Sequence, residues 1–506
     1  MRFIDLAILW YSVKNMNCYF ASLLFILQLL CGCRADEAAS PKSLKTPATE
    51  PAPITTRAPG CTGCHIEVKL DAAHALPCTS CHGGLDNEGQ IDTAHVGLIA
   101  KPGHPAHMGA ACGTCHPRQI TDASHSLHFT LSKEINAVRA HFGAQNRLAA
   151  PTDIPVAASL TTPLALADDM LRRRCLRCHV YSPGDDYAAV THGTGCSACH
   201  LAFQGGKLQS HAFVAPIDQQ CLSCHYGNYV GNDYYGRYEH DFHWEYRTPY
   251  TTGKTPSRPY GVETHDLAAD IHQQRGLICI DCHQDSGHNQ SPALTCASCH
   301  DWQPGRPALL LRNLQVRNNA LILTSRQSGK EYTIPRMQHP AHRQYRQKIA
   351  CQVCHGQWSF NDAPTHLLLS KTDKYEPWER LTVQASSEIE SLLEHNLSGD
   401  KDERPPTMRD GLTGESHQGI WYQGFGQRRW EDMIVRKDTD GVIKVFRPLL
   451  DLRLSMVEAD GQVPFDSIKG TGAGLRPYTP HTTGHAGLFY LERFKHLLPP
   501  EGKPIP

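Results

Sequence analysis

The chain has 506 residues, enough for two or three domains at the usual ~100–200 residues each. Its 49 basic and 50 acidic side chains leave a formal charge of −1, which argues against nucleic acid as a partner. The 21 cysteines are about 4% of the residues, short of the ~8–10% of a small disulfide scaffold, and an odd number cannot pair completely. Histidine, at 31, outnumbers cysteine.

Residues 1–33 read as an export signal. Arg2 and Lys14 precede an apolar run from Cys18 to Cys31, too short for the ~20 residues of a membrane-spanning helix and of the length of a signal-peptide core. The run ends in Leu30-Cys31-Gly32-Cys33, which resembles a bacterial lipoprotein signal with Cys33 as the lipid-modified residue; an uncleaved anchor and an ordinary signal peptide are the alternatives. The resemblance implies an exported, lipid-anchored protein. Arg34 after Cys33, by the same analogy, favours the outer membrane, on either its periplasmic or its cell-surface face. Residues 34–60, rich in Pro, Ala and Thr without apolar periodicity, read as a tether that buries no core.

CxxCH then occurs nine times. The paired cysteines are Cys61/Cys64, Cys78/Cys81, Cys112/Cys115, Cys175/Cys178, Cys196/Cys199, Cys221/Cys224, Cys279/Cys282, Cys296/Cys299 and Cys351/Cys354. The histidines that follow are His65, His82, His116, His179, His200, His225, His283, His300 and His355. CxxCH is the attachment signature of haem c: two thiols add to the vinyl groups on one edge of the macrocycle, and the adjacent imidazole reaches the iron. CxxC alone also builds zinc sites and redox disulfides, but neither needs a histidine after every pair. The nine motifs use 18 cysteines, and the remaining three, Cys18, Cys31 and Cys33, lie in the export region. Nine covalent haems c are expected.

Each iron needs a sixth ligand. Of 31 histidines, 22 lie outside the motifs, whereas only Met108, Met170 and Met337 fall between the first and last of them. Bis-histidine, low-spin, low-potential haems are therefore expected, since methionine ligation raises the potential. The distal candidates are His74, His95, His107, His128, His192, His211, His243, His272, His342 and His366.

Motif starts are separated by 17, 34, 63, 21, 25, 58, 17 and 55 residues, too little polypeptide to give each macrocycle its own core. The expected fold for 61–374 is a haem-packed core of short helices and loops. Residues 226–260 carry eight tyrosines, read as packing over porphyrin faces, with a pocket lining or a tyrosine-linked haem as the functional alternative. Residues 308–334 read as a small β insertion. Residues 375–506 lack cysteine and read as a small haem-free, β-rich C-terminal domain, with a capping box at Ser387-Glu-Ile-Glu390 opening a helix. His481 and His485 in that region are expected to be structural, with either capping a haem from outside the haem domain as the alternative.

The motifs identify the chain as a multihaem cytochrome c. Segments 270–283 (DIHQQRGLICIDCH) and 339–360 (HPAHRQYRQKIACQVCHGQWSF) resemble periplasmic and outer-membrane multihaem cytochromes of anaerobic bacteria that respire metals, selenite or sulfur oxyanions. The resemblance implies electron transfer between other cytochromes or membrane redox proteins, with an outer-membrane porin as a further partner. The alternative is a terminal reductase of the nitrite, hydroxylamine, tetrathionate or selenite type with one open haem. CxxCK, which marks such a haem in some of those enzymes, is absent. Two propionates per haem would make the assembled protein more acidic than its sequence and favour basic redox partners.

Overall fold

The computed structural model describes residues 60–499, apart from 88, 228–230, 240–256, 285–287, 289–293, 310, 360–364, 375–385, 399–401, 424–432, 450–451 and 472–473. The chain divides into two units, Met1–Thr56 and Arg57–Pro506. The signal peptide, nearly all of the tether, Cys33, His243 and three of the eight tyrosines lie outside the described residues.

From 60 to 130 the chain is a run of helical turns of three to eight residues joined by loops. Apolar periodicity here is too short to bury a helix face, and among the described residues of 61–100 no side chain is buried. The first continuous core forms further on. Helix α1 (Ser132–His141) and helix α2 (Pro163–Met170) are clamped by the buried Arg139–Asp168 ion pair at 2.7 Å. Their apolar residues Ile135, Val138, Leu166 and Met170 join a cluster with Leu367–Leu369, Ile389, Met408, Ile420–Tyr422, Leu454 and Met456.

The β insertion is a three-stranded antiparallel meander: β1 (Leu314–Arg317), β2 (Ala320–Thr324) and β3 (Glu331–Thr333). Asn318 and Asn319, both at positive φ, make the tight turn between β1 and β2.

The principal sheet is assembled from β4 (Thr365–Ser370), β5 (Ile420–Gln423), β8 (Leu452–Val457) and β9 (Phe465–Lys469), in the order β5-β4-β8-β9. β4 comes from the end of the motif-bearing stretch and runs parallel to β8, so strand pairing crosses the boundary expected at 374/375. The alternation in Leu452-Arg-Leu-Ser-Met suggests a half-solvated strand. In the fold Leu454, Ser455, Met456 and Val457 are all buried, because β8 lies between two neighbours and is covered on both faces. A second antiparallel sheet joins β6 (Ile434–Lys437), β7 (Ile443–Leu449) and β10 (Gly474–Pro477), with Asp438–Gly441 turning between β6 and β7.

Helix α3 (Ser387–Leu397) buries Ile389 and Leu392 as the periodicity implies, but leaves Leu397 exposed. Its cap differs from expectation. Ser386 holds the cap position without a side-chain hydrogen bond, and the Ser387 hydroxyl donates instead to Asp185 Oδ1 at 3.0 Å. A tertiary contact to the fourth CxxCH segment takes the hydroxyl that a capping box would have used.

Candidate haem-binding centres

A helical turn puts residues i and i+3 on one face, so two thiols three apart point the same way and the residue after them stands over that face. Most motifs adopt this geometry. Helical turns cover Cys61–Cys64, Thr79–His82, Cys196–His200, Cys279–Cys282, Cys296–His300 and Cys351–His355, and a longer helix, Asp218–His225, carries the sixth motif. All eighteen motif thiols are free of disulfides.

The third motif is one of three with an exposed thiol. Its helix, Met108–Cys112, stops at the first cysteine, so Cys115 lies beyond the helix in the following turn and is exposed rather than packed in a core. The backbone turn itself is the one that Cys78–His82 also makes. Gly113 and Thr114 tighten the chain, and the Cys115 N–H donates three residues back to the Cys112 carbonyl at 3.2 Å. The His116 N–H then closes on the same carbonyl at 2.8 Å, so the spacing of the two thiols is kept although the second is not covered by protein. Cys115 still acts electrostatically on Cys81 of the second motif. Cys64 and Cys175 are exposed as well.

Imidazole rings meet in twos. His65 faces His95 with ring centroids 6.4 Å apart, His82 faces His211 at 6.3 Å, His116 faces His74 at 6.1 Å and His200 faces His288 at 6.0 Å. His225 faces His128 at 6.1 Å, His283 faces His481 at 6.2 Å, His300 faces His272 at 6.1 Å and His355 faces His342 at 6.0 Å. A metal–imidazole bond is about 2 Å and the ring centre lies about 1 Å beyond the nitrogen, so imidazoles on opposite sides of one metal have centroids about 6 Å apart. Distance alone is not diagnostic, because the HxxH neighbours His104/His107 and His339/His342 lie at 6.0 and 6.4 Å. The signal is that eight motif histidines each take one non-motif partner.

Hydrogen bonds fix the rings. His82, His200, His300 and His355 direct Nδ1 to the carbonyls of Ile99, Val214, Pro335 and Gly484 at 2.8–3.0 Å. That bond stabilises the Nδ1–H tautomer and leaves Nε2 as the electron-pair donor. Two of the facing histidines use carboxylates: His74 Nδ1 lies 2.9 Å from Asp71, and His272 Nδ1 lies 2.7 Å from Asp270. Burial lowers the pKa of His225 to about 4 and also lowers those of His283, His300 and His481, keeping the imidazoles in the neutral form that binds a metal.

The motifs have an order in space. Electrostatic contact links Cys61 with Cys78, Cys81 with Cys112 and Cys115, Cys112 with Cys196, and Cys199 with Cys221. The series continues from Cys221 to Cys279, from Cys282 to Cys299 and from Cys296 to Cys351. Motifs one, two, three, five, six, seven, eight and nine therefore form a line. The fourth stands beside the sixth, where Cys178 meets Cys224.

That fourth motif is built differently. Leu171–Cys175 is a π-helical turn and Leu176–Cys178 a 3-10 turn, and the His179 N–H bonds to Leu176 rather than to Cys175. Buried arginines lock the segment to the β-rich part. Arg172 Nε bonds Asp410 at 2.5 Å, Arg173 donates to the carbonyls of His417, Gln418 and Gly419, and Arg177 pairs with Asp185 and bonds the Ser386 hydroxyl. His179 is 5% exposed, and neither ring nitrogen has a partner at hydrogen-bond geometry; the polar group beside the ring is the His128 backbone. Among the described residues no histidine ring faces it; its stacked neighbour is Tyr181 at 5.3 Å.

Six of the ten distal candidates, His74, His95, His128, His211, His272 and His342, thus stand opposite a motif histidine. His107 sits against His104, His192 Nε2 lies 3.4 Å from Cys224 Sγ, and His366 Nε2 bonds the Ser455 hydroxyl at 2.8 Å. His288 and His481 were not among the candidates. The spacing of His481 carries no hint of its partner, because the tertiary fold brings it to His283. The fourth motif did carry a signal in Leu171-Arg-Arg-Arg-Cys-Leu-Arg177, where four arginines surround one cysteine.

The residues fit haem c. In the first two motif segments Ile66, Ile91 and Val96 are 63–73% exposed, apolar surface of the kind a macrocycle would cover. Among the described residues no three of His, Cys, Asp and Glu gather into a metal cluster, as a zinc or iron–sulfur site of this composition would require. No family model, curated protein or solved structure matches the chain.

Proposed function

We propose that the chain is a nonahaem cytochrome c that transfers electrons, and the observation carrying this reading is the pairing of eight motif histidines with eight others. Bound haem supplies the one-electron chemistry. The protein's part is to close the axial positions with imidazole, to fix the tautomer of six of those imidazoles through a carbonyl or carboxylate, and to bring thiols of adjacent motifs within electrostatic reach of one another. Closed, low-spin centres reorganise little and exclude exogenous ligands, which suits conduction along the line from the first motif to the ninth.

Lipid attachment at Cys33, an outer-membrane location and partnership with membrane redox proteins or a porin belong to the same proposal and rest on the sequence. Among the described residues no helix is long and apolar enough to cross a membrane. A second reading, a terminal reductase, is favoured by one observation: His179 has no facing histidine among the described residues.

Pyridine haemochrome quantitation on the purified mature protein tests the count. Nine haems per chain, with eight low-spin in the ferric EPR spectrum, are expected. Fewer than nine, or a majority of high-spin centres, would overturn the reading.

A further inference from the structure

We infer that the centre at Cys175, Cys178 and His179 is a ligand-binding site rather than a link in the line, and that it takes a small exogenous anion opposite His179. The inference rests on the haem reading above and adds a role for one motif.

Four independent features single this centre out. Among the described residues His179 is buried with both ring nitrogens lacking a partner at hydrogen-bond geometry, whereas every other motif histidine faces a second imidazole. Neither of the two histidines that influence it electrostatically is seen ring to ring with it: His128 faces His225, and His192 Nε2 lies 3.4 Å from Cys224 Sγ. The backbone changes from an α turn to a π turn followed by a 3-10 turn, a distortion frequent at functional sites because it re-aims a side chain at a cost in helix geometry. The motif also stands to one side of the line, with Cys178 within electrostatic reach of Cys224. A conductor gains nothing from such a spur, but a reaction centre fed by the line needs one.

The surroundings favour an anion. Tyr226 is buried and its hydroxyl adjoins Cys178. Its ring stacks on Tyr260 at 5.6 Å and 19°, and the Arg237 guanidinium lies over the Tyr260 ring at 5.8 Å. Arg237 has a buried Nη1 without a hydrogen-bond partner, and Arg174 bonds only the neutral Gln423 amide at 3.4 Å. Arg172, Arg173, Arg177 and Arg258 are each matched by a carboxylate, Asp410, Asp169, Asp185 and Glu390. Glu239 also acts on Tyr226, as an acidic neighbour. Among the described residues two guanidinium groups thus remain uncompensated around the aromatic stack, and a buried cation with spare donors attracts an anion with acceptor oxygens.

The test uses full-length mature protein. Haems are first counted by pyridine haemochrome, and the ferric protein is then titrated with sodium nitrite, sodium sulfite and neutral imidazole while EPR and Soret absorbance are followed. The expected result is nine haems, one of them high-spin, and saturable conversion of that one by about one equivalent of anion per chain. Arg237→Gln should weaken nitrite or sulfite binding about tenfold or more, the loss of a charge-assisted hydrogen bond, while leaving imidazole affinity and the haem count unchanged. Nine low-spin haems with no response to any probe would overturn this inference and leave the electron-transfer reading standing. Equal weakening for nitrite and imidazole would overturn the anion assignment. A count below nine would overturn the haem reading itself.

Discussion

His283, in the seventh motif, and His481, near the end of the β-rich region, stand with ring centroids 6.2 Å apart. The Pro480–Gly484 loop reaches the motif because Asp270 accepts from both the N–H and the hydroxyl of Thr483 at 2.7 Å, while Asp233 accepts from the His481 N–H at 3.3 Å. On the proposed haem reading, a segment without cysteine thus completes a centre in the cysteine-bearing part. His481→Ala should convert one low-spin centre to high-spin with the haem count unchanged, and His481→Met should keep it low-spin and raise its potential. His485→Ala, four residues on at an exposed position, should alter neither. EPR combined with a spectroelectrochemical titration distinguishes these outcomes; an unchanged spectrum for His481→Ala would remove His481 from the ligand set.

How far the sequence could be read follows from which interactions are local. The attachment turns were legible because CxxCH closes within one turn of helix, so spacing alone dictates that thiols and imidazole share a face. How much protein covers each thiol was not, since the exposure of Cys115 depends on a helix that ends at Cys112 and on what the tertiary fold lays beside it. His74 and His272 were legible as a type, since each has an aspartate two or three residues earlier that holds its Nδ1. Which motif each would serve was not, because His74 faces His116 in the third motif rather than the flanking His65 or His82. The β-rich character of the C-terminal region is legible in alternation such as Leu452-Arg-Leu-Ser-Met and in its Asp-Gly turns. The placement of β4 beside β8 escaped that reading because a parallel pairing leaves no turn in the sequence to announce it.

Asp71 offers a way to tune one centre without removing a ligand. Its carboxylate holds His74 Nδ1 at 2.9 Å and also accepts from the Phe213 N–H at 2.9 Å, and these bonds hold its pKa down at about 2, so it is ionised at neutral pH. An anion behind the imidazole makes the ring a stronger donor and stabilises the oxidised metal. Asp71→Asn should raise the potential of the third centre by tens of millivolts, an order-of-magnitude expectation for a change outside the ligand set, while leaving it low-spin. A potentiometric titration that resolves the third centre at its original potential would refute this.

The Arg172–Asp410 pair, 6% and 2% exposed, ties the fourth motif to the β-rich part. Removing one partner strands a buried charge, at a cost of ~3–5 kcal/mol, whereas replacing both with apolar residues costs much less. Asp410→Ala should therefore lower the thermal midpoint more than the double variant Arg172→Met/Asp410→Met. The single variant should also perturb the spectrum of the fourth centre ahead of the others, because Gly411 N–H bonds the Arg172 carbonyl at 2.9 Å just upstream of Cys175. Equal losses of stability in the single and double variants would mean that the charges contribute little there.

Gly195, the residue before the fifth motif, combines two constraints that can be separated. Its φ is +56°, and a Cβ there would collide with the Gly103 carbonyl, which accepts the Cys196 N–H at 3.1 Å. Gly205 has nearly the same φ, +59°, with nothing within 4 Å of its Cβ position. Alanine at Gly205 should cost only the left-handed backbone penalty, ~1–2 kcal/mol. Alanine at Gly195 must in addition push residue 103 away, and with it the segment that carries Cys112 against Cys196. Gly195→Ala should thus be the more destabilising by ~1–3 kcal/mol, a typical overpacking cost. It should also slow reduction of the later centres when electrons enter at the first motif, since the third and fifth motifs are consecutive in the line. Thermal unfolding and stopped-flow reduction of the two variants side by side check both parts, and equal behaviour would show that the close approach at Gly103 is dispensable.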